Sequence, residues 1–167
     1  YSRLNEKNKA MEYCTKALEI RRKILGEDNA NTAMSYINVG YLYKNLCDYK
    51  KALEYYHSGL DIQEKVLGME HPDTASTYSI IGECYDYAMK DCNKAQEYYK
   101  RALETRERVL KKEKSDNPVQ LFHIGASYRD LGDYDKALEF HLKALEKHEN
   151  EYGESHSGTA DLHNRIG

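Results

Sequence analysis

Apolar and small side chains recur along this chain at the intervals that are typical of amphipathic helices. Between residues 33 and 45 they fall at Tyr36, Val39, Gly40 and Tyr43. This spacing places them on one face of a helix. A polar break follows at residues 44–48, and a second apolar face begins at Ala52. Gly68 comes after it and is a suitable residue to end a helix. The pattern therefore predicts two antiparallel helices joined by a short turn.

This pair of helices is repeated with a nearly fixed period. Glycines stand at positions 40, 82, 125 and 167, in steps of 42, 43 and 42 residues. Alanines at positions 10, 52, 95 and 137 show the same steps, so both series contain one inserted residue between Tyr85 and Ala95. Because neither helix of a pair can bury its apolar face alone, a period of this length predicts an all-α solenoid of stacked hairpins.

The period divides the chain, residues 1–167, into a single array. It has a partial repeat at 1–26, repeats at 30–68, 72–111 and 117–153, and a partial repeat at 157–167. Gly40 and Ala52 are expected where the helices of one hairpin cross most closely, since a larger side chain would push the axes apart. The loop at 110–118 lacks the glycine of the other loops, so we expect the helix before it to run further.

The repeat pattern continues past both ends of the sequence, so we expect a section of a longer array. The alternative is that molecules stack head to tail, with residues 157–167 supplying the helix that would precede Tyr1.

Composition narrows the classes of partner. Charged residues make up 32% of the chain and the net charge is −3, so there is no general attraction to nucleic acid or to an anionic membrane. No apolar run approaches the ~20 residues that span a bilayer. The four cysteines lack the spacing of a metal site, which favours reduced thiols and a cytoplasmic location.

The sequence contains no convincing catalytic or metal-binding motif. Residues 153–157 begin like a nucleophile elbow but lack its final glycine, and no strand precedes them. His148 and Glu149 begin like a zinc-protease motif, but Tyr152 stands where the second histidine belongs. His141 occupies an aromatic core position, which favours packing over metal binding. We therefore predict a protein that is not an enzyme and has no cofactor or metal.

The repeat unit resembles the tetratricopeptide repeat (TPR). The first helix matches at Tyr36, Val39, Gly40 and Tyr43, and the second at Ala52, Tyr56 and Gly59. The common form has about 34 residues. This 42-residue unit, with its Leu-Gly, His-Pro and Thr-Ala loop, is similar to the long-repeat subclass of kinesin light chains. The resemblance implies a right-handed superhelix of antiparallel helix hairpins that acts as a protein-interaction scaffold.

In that family the first helices line a concave groove. The resemblance therefore places partner-binding positions at Ile37, Asn38, Tyr41, Lys44, Asn45, Ser79, Glu83, Tyr87, Phe122, His123 and Arg129. Tyr41, Tyr87 and Phe122 lie off the buried faces of their helices, so each either packs against an adjacent unit or offers an aromatic surface to a partner.

The implied partner is a protein or peptide segment, and not nucleic acid or membrane. A chaperone-type carboxylate clamp is not expected, because Ser76 and Ile80 stand where the family has Lys and Arg. The second hypothesis for function is a structural or sensor array of a larger signalling protein, which could self-associate head to tail.

Overall fold

The computed structural model describes residues 2–113 and 117–153, and all regular structure in these ranges is helical. The helices are α1 (Ser2–Leu25), α2 (Ala30–Asn45), α3 (Tyr49–Val66), α4 (Pro72–Cys84), α5 (Cys92–Glu113), α6 (Pro118–Asp130) and α7 (Tyr134–Tyr152). A π-helical turn, Tyr85–Met89, follows α4. The predicted all-α fold is confirmed.

The chain forms two compact units. Unit 1 is Tyr1–Tyr98 and unit 2 is Tyr99–Gly167, so the boundary falls inside α5. Within unit 1, α2 packs against α1 and α3, and α3 packs against α4. Within unit 2, α6 packs against α7. The alternation of first and second helices follows the predicted repeats, while their arrangement in one continuous array stays a prediction.

The ends of the helices follow from local side-chain chemistry. Asp48 caps α3 by accepting a hydrogen bond from the N–H of Lys51, and Asp133 does the same for α7. Such caps satisfy backbone donors that the first turn of a helix leaves free. Gly68, which follows α3, has a φ of +90°, a left-handed conformation that glycine adopts without strain. The predicted stop at Gly68 is confirmed.

Glycine is needed where α2 crosses α3. A Cβ added to Gly40 would lie 2.7 Å from two ring carbons of Tyr56 and 3.1 Å from the carbonyl oxygen of Ala52. A Cβ on Gly59, in the other helix, would lie 2.7 Å from Cδ1 of Ile37. Each helix thus uses a glycine to admit a large side chain of the other. The close approach predicted for Gly40 and Ala52 is confirmed.

The inserted residue of the second hairpin is taken up by the π-helical turn. In the first hairpin the N–H of Asp48 donates to the carbonyl of Tyr43, five residues earlier, at 3.0 Å. In the second hairpin the N–H of Asp91 donates to the carbonyl of Tyr85, six residues earlier, also at 3.0 Å. The added residue therefore lies in the π-helical turn, within the predicted interval. The equivalent backbone hydrogen bond still closes the turn between the two helices of the hairpin.

The register of the two helices at the junction between α5 and α6 differs from that at the junctions between α1 and α2 and between α3 and α4. Equivalent side-chain hydrogen bonds join Arg21 to Ser35, Thr77 to Gln63, and Arg106 to Ser127. The bonded residues are 14 apart in the first two pairs and 21 apart in the third. Seven residues are two helical turns, or about 10 Å along the axis of α6.

The longer α5 explains this shift. Lys111 stands where the preceding repeat has Gly68, and α5 continues to Glu113, four residues past Val109, the counterpart of the last residue of α3. Helix α6 begins at Pro118, three residues after the position equivalent to the start of α4. The prediction that this helix runs further is confirmed, but the shift of two turns could not be read from the repeat period.

Candidate functional site

Four exposed side chains form a stripe along α2: Met34, Asn38, Tyr41 and Asn45. Their spacing of four, three and four residues places them on one face of the helix. Tyr41 has 54% of its surface exposed, so its ring is not used to fill the interior of unit 1. The stripe therefore offers one aromatic ring, one thioether and two amide side chains to the surroundings.

Ile37 does not belong to this stripe. Its side chain is buried, and its Cδ1 packs against Gly59 of α3. One residue corresponds to a rotation of about 100° around a helix axis. Ile37 therefore faces the hairpin interior, while Asn38 next to it is exposed. Ile37 stabilises the hairpin and is left out of the surface described below.

An ion pair joins the first helices of two successive hairpins. The ammonium group of Lys44 on α2 donates a hydrogen bond to Glu83 on α4, and 27% and 39% of the two side chains are exposed. Burial acts to lower the pKa of Lys44. The hydrogen bond and the charge of Glu83 outweigh burial, so the pKa lies above its ordinary value. The lysine is therefore charged at neutral pH, and the pair links α2 to α4.

The remaining predicted positions of unit 1 differ in exposure. Ser79 lies one turn before Glu83 on α4 and is half-buried. Tyr87 lies in the π-helical turn, and 70% of its surface is exposed. We call the following residues the unit 1 face: Met34, Asn38, Tyr41, Lys44, Asn45, Ser79, Glu83 and Tyr87.

The hydroxyl of Tyr56 is a feature of this region that the sequence does not indicate. The side chain is fully buried, and the hydroxyl has no hydrogen-bond partner in the described part of the chain. Burial raises the pKa of Tyr56, and nearby Cys84 and Glu83 add to the effect. The repeat pattern places Tyr56 in the second helix of its hairpin, but no sequence signal shows that its hydroxyl is left unpaired.

In unit 2 the predicted residues lie on α6. The ring of Phe122 stacks on His141 of α7 with centroids 4.7 Å apart, and His123 meets Phe122 edge-on at 6.1 Å. Arg129 is exposed and donates a 2.9 Å hydrogen bond to Asp130. We call Phe122, His123 and Arg129 the unit 2 face. Phe122 is half-buried by its stacking, whereas His123 and Arg129 are accessible.

The two faces mix charge, amide and aromatic groups. Within residues 2–113 and 117–153, no three His, Cys, Asp or Glu side chains are grouped so that they could hold a metal ion. In the same ranges, no helix is both long and apolar enough to cross a bilayer. Groups of this kind suit contact with another polypeptide, since amides pair with backbone groups and aromatic rings bury large areas.

The sequence matches the family model described as tetratricopeptide repeat over residues 3–65, 38–108 and 119–167. The chain belongs to the tetratricopeptide repeat family. The predicted resemblance is thereby confirmed, and with it the solenoid class of fold. No curated protein matches the sequence significantly.

Solved structures of TPR proteins are similar to this TPR chain. BtubC (BKLC) from P. vanneervenii is 26% identical, with a TM-score of 0.65 over 92% of this chain and 61% of that one. The chain thus spans about three fifths of BtubC. A putative kinesin light chain with nearly identical TPR-like repeats from Podosopora anserina is 17% identical. Its match covers 99% of this chain and 78% of that chain, with a TM-score of 0.65.

The apo form of RapI is also similar, at 22% identity over 99% of this chain and 63% of that chain, with a TM-score of 0.59. RapI and the Podosopora anserina protein, at 22% and 17% identity, support the fold alone. The predicted likeness to kinesin-light-chain-like TPR repeats is confirmed at the level of the fold. TPR repeats and these TPR proteins support a protein-interaction scaffold in general, and the fold is typically non-enzymatic.

Proposed function

We propose that the unit 1 face binds a segment of a protein partner. The observation that carries this proposal is the exposed stripe of α2, in which Tyr41 presents more than half of its surface beside the amides of Asn38 and Asn45. Exposed aromatic side chains are frequent centres of binding energy in protein interfaces. The unit 2 face, with Phe122 and His123, is proposed as a second contact region of the same kind.

The charges of the unit 1 face favour a partner segment that carries both positive and negative charges. Lys44 and Glu83 neutralise each other, so the face has no strong net attraction for a purely acidic or purely basic segment. Asn38 carries both a donor and an acceptor and can pair with the backbone of an extended segment. Shape and backbone hydrogen bonds would then provide most of the recognition.

The proposal is tested by comparing two tyrosine variants. Tyr41→Ala removes an exposed ring from the unit 1 face. Tyr134→Ala removes an exposed ring of the same type from α7, which is the second helix of its hairpin. If a partner covers about 100 Å² of Tyr41, the loss is about 2.5 kcal/mol, or roughly 70-fold in affinity. Partners are captured with the 167-residue protein, purified, and titrated by calorimetry.

We expect Tyr41→Ala to weaken binding strongly and Tyr134→Ala to bind like the wild type. Circular dichroism checks that both variants keep the wild-type helix content. Equal affinities of Tyr41→Ala and the wild type would show that the unit 1 face is not the binding surface.

We also propose head-to-tail self-association as a second candidate, because α1 carries an exposed apolar stripe. Tyr13, Ile20 and Ile24 are 70%, 56% and 73% exposed. Ile62, the counterpart of Ile20 in α3, is only 7% exposed. The occupant would be residues 157–167 of a second copy, whose sequence matches the start of a first helix and which lie outside the described residues.

Light scattering over a concentration series tests this candidate. Self-association predicts a mass that rises with concentration in the wild type and stays monomeric in the double variant Ile20→Lys, Ile24→Lys. A wild-type protein that is monomeric at the highest concentration contradicts it.

A further inference from the structure

His141 occupies a position where the equivalent residue of the first hairpin is a tyrosine. In unit 1, the ring of Tyr56 packs on Gly40. In unit 2, the imidazole of His141 packs on Gly125 in the same way, so that a Cβ on Gly125 would lie 2.7 Å from its Nε2. His141 is 6% exposed and belongs to the contact between α6 and α7. An imidazole therefore takes the place of a phenol in this contact, and its ordinary pKa is much closer to neutral pH.

The two nitrogens of this imidazole have different surroundings. Nε2 is buried and has no hydrogen-bond partner among the described residues. The other nitrogen, Nδ1, faces the backbone carbonyl of Phe122. A hydrogen bond to this carbonyl requires a proton on Nδ1, which is the donor. The packed state thus holds the neutral tautomer with its lone pair on Nε2, and Phe122 stacks on the same ring.

A second proton has no acceptor in this position. It would add an N–H and a positive charge at Nε2, against Gly125, where water is excluded. A buried charge without a partner is strongly disfavoured. To become charged, His141 must leave its contact with Gly125, and Phe122 then loses the ring on which it stacks.

A nearby positive charge acts in the same direction. Arg129 of α6 lowers the pKa of His141, because its positive charge opposes a second one nearby. Burial is the larger cause, and the two together hold the pKa of His141 below its ordinary value. The hydrogen bond to Phe122 opposes them and is weaker. The equivalent Tyr56 has a raised pKa and does not titrate near neutral pH.

We propose that His141 makes the contact between α6 and α7 acid-sensitive, so that mild acidification raises the population of the opened hairpin and disturbs the unit 2 face. The closed hairpin holds a neutral imidazole, whereas an opened hairpin exposes an imidazole of ordinary pKa, about 6.5. The opened state therefore binds one more proton below that pH, and its population rises as the pH falls. Release of a partner from Phe122 and His123 would follow, a step that rests on the proposed function.

The test combines a titration with hydrogen exchange and needs no partner. The imidazole signals of the 167-residue protein are followed by NMR from pH 7.5 to 5.0, and the exchange of backbone amides in α6 and α7 is measured over the same range. One proton per opening predicts an opening constant that rises by up to tenfold for each pH unit below about 6.5. His141→Tyr and His141→Phe should lose this dependence, and His148→Gln, the matched change on the same helix, should keep it.

Two results would overturn the proposal. One is a folded-state pKa of His141 at or above 6.5, which the wild-type titration measures even if a variant fails to fold. The other is the same pH dependence of opening in His141→Tyr as in the wild type. Neither result bears on whether the unit 1 face binds a partner, so the two proposals fail separately.

Discussion

Replacing Gly40 by leucine tests the packing on which the helix hairpin depends. The Cβ of any residue at position 40 would already lie 2.7 Å from two ring carbons of Tyr56 and 3.1 Å from the Ala52 carbonyl oxygen. Carbon atoms in contact are normally about 3.5–4.0 Å apart. Tyr56 has no exposed surface and cannot turn into solvent, so α2 and α3 must separate to admit the side chain.

The expected change in the free energy of unfolding follows from two opposing effects. Leucine is a better helix former than glycine by about 0.8 kcal/mol. Overpacking of a closed core typically costs about 1–3 kcal/mol for small insertions, and here a whole isobutyl group must enter. We expect Gly40→Leu to lower the free energy of unfolding by at least about 2 kcal/mol. Asn38→Leu, an exposed position in the same helix, should stay within about 0.5 kcal/mol of the wild type.

Urea denaturation followed by far-UV circular dichroism measures both variants. A double-mutant cycle with Tyr56→Ala adds a direct check on the cause. Since Tyr56→Ala removes the obstructing ring, the loss in the double variant should be at least about 1 kcal/mol smaller than the sum of the single losses. If Gly40→Leu is as stable as Asn38→Leu, the close contact between α2 and α3 is not the reason for glycine at position 40.

Three further changes should separate stabilising contacts from weak ones. Asp48→Ala removes the cap of α3 and should cost about 1 kcal/mol in urea denaturation, and an unchanged midpoint would contradict this. Thr77→Val removes the donor to the buried amide oxygen of Gln63 and should cost about 1–3 kcal/mol, because that oxygen is left unpaired. A double-mutant cycle on Lys44 and Glu83 should give a coupling of about 1 kcal/mol or less, since both groups are partly exposed. A much larger coupling would mean that the ion pair is a principal support of unit 1.

The sequence was sufficient to predict the hairpins because their determinants are local. The spacing of Tyr36, Val39 and Gly40 identifies a helix face, and Asp48 and Gly68 stand at helix ends. The inserted residue could be placed between Tyr85 and Ala95 from the period alone. The way in which the extra residue is accommodated could not be predicted, because it can lengthen the loop after the helix or widen one helical turn to a π-helical turn.

Features that depend on packing between hairpins were less predictable. The period transfers positions from one repeat to the next, but Arg106 pairs two turns further along its partner helix than Gln63 does. The ion pair of Lys44 with Glu83 also depends on how two hairpins stack. Ile37 was placed among the partner-binding positions by family resemblance, whereas its contact with Gly59 is set by the crossing of α2 and α3.

The central claim is that the first-helix surface of unit 1 contacts the partner. Site-specific photo-crosslinking tests it most directly, with benzoylphenylalanine placed at Tyr41 in one protein and at Tyr134 in another. Both positions are exposed, but Tyr41 lies on the first helix of its hairpin and Tyr134 on a second helix. We predict that the captured partner is crosslinked from position 41 and not from position 134. Crosslinking from position 134 alone would contradict the assignment of the unit 1 face.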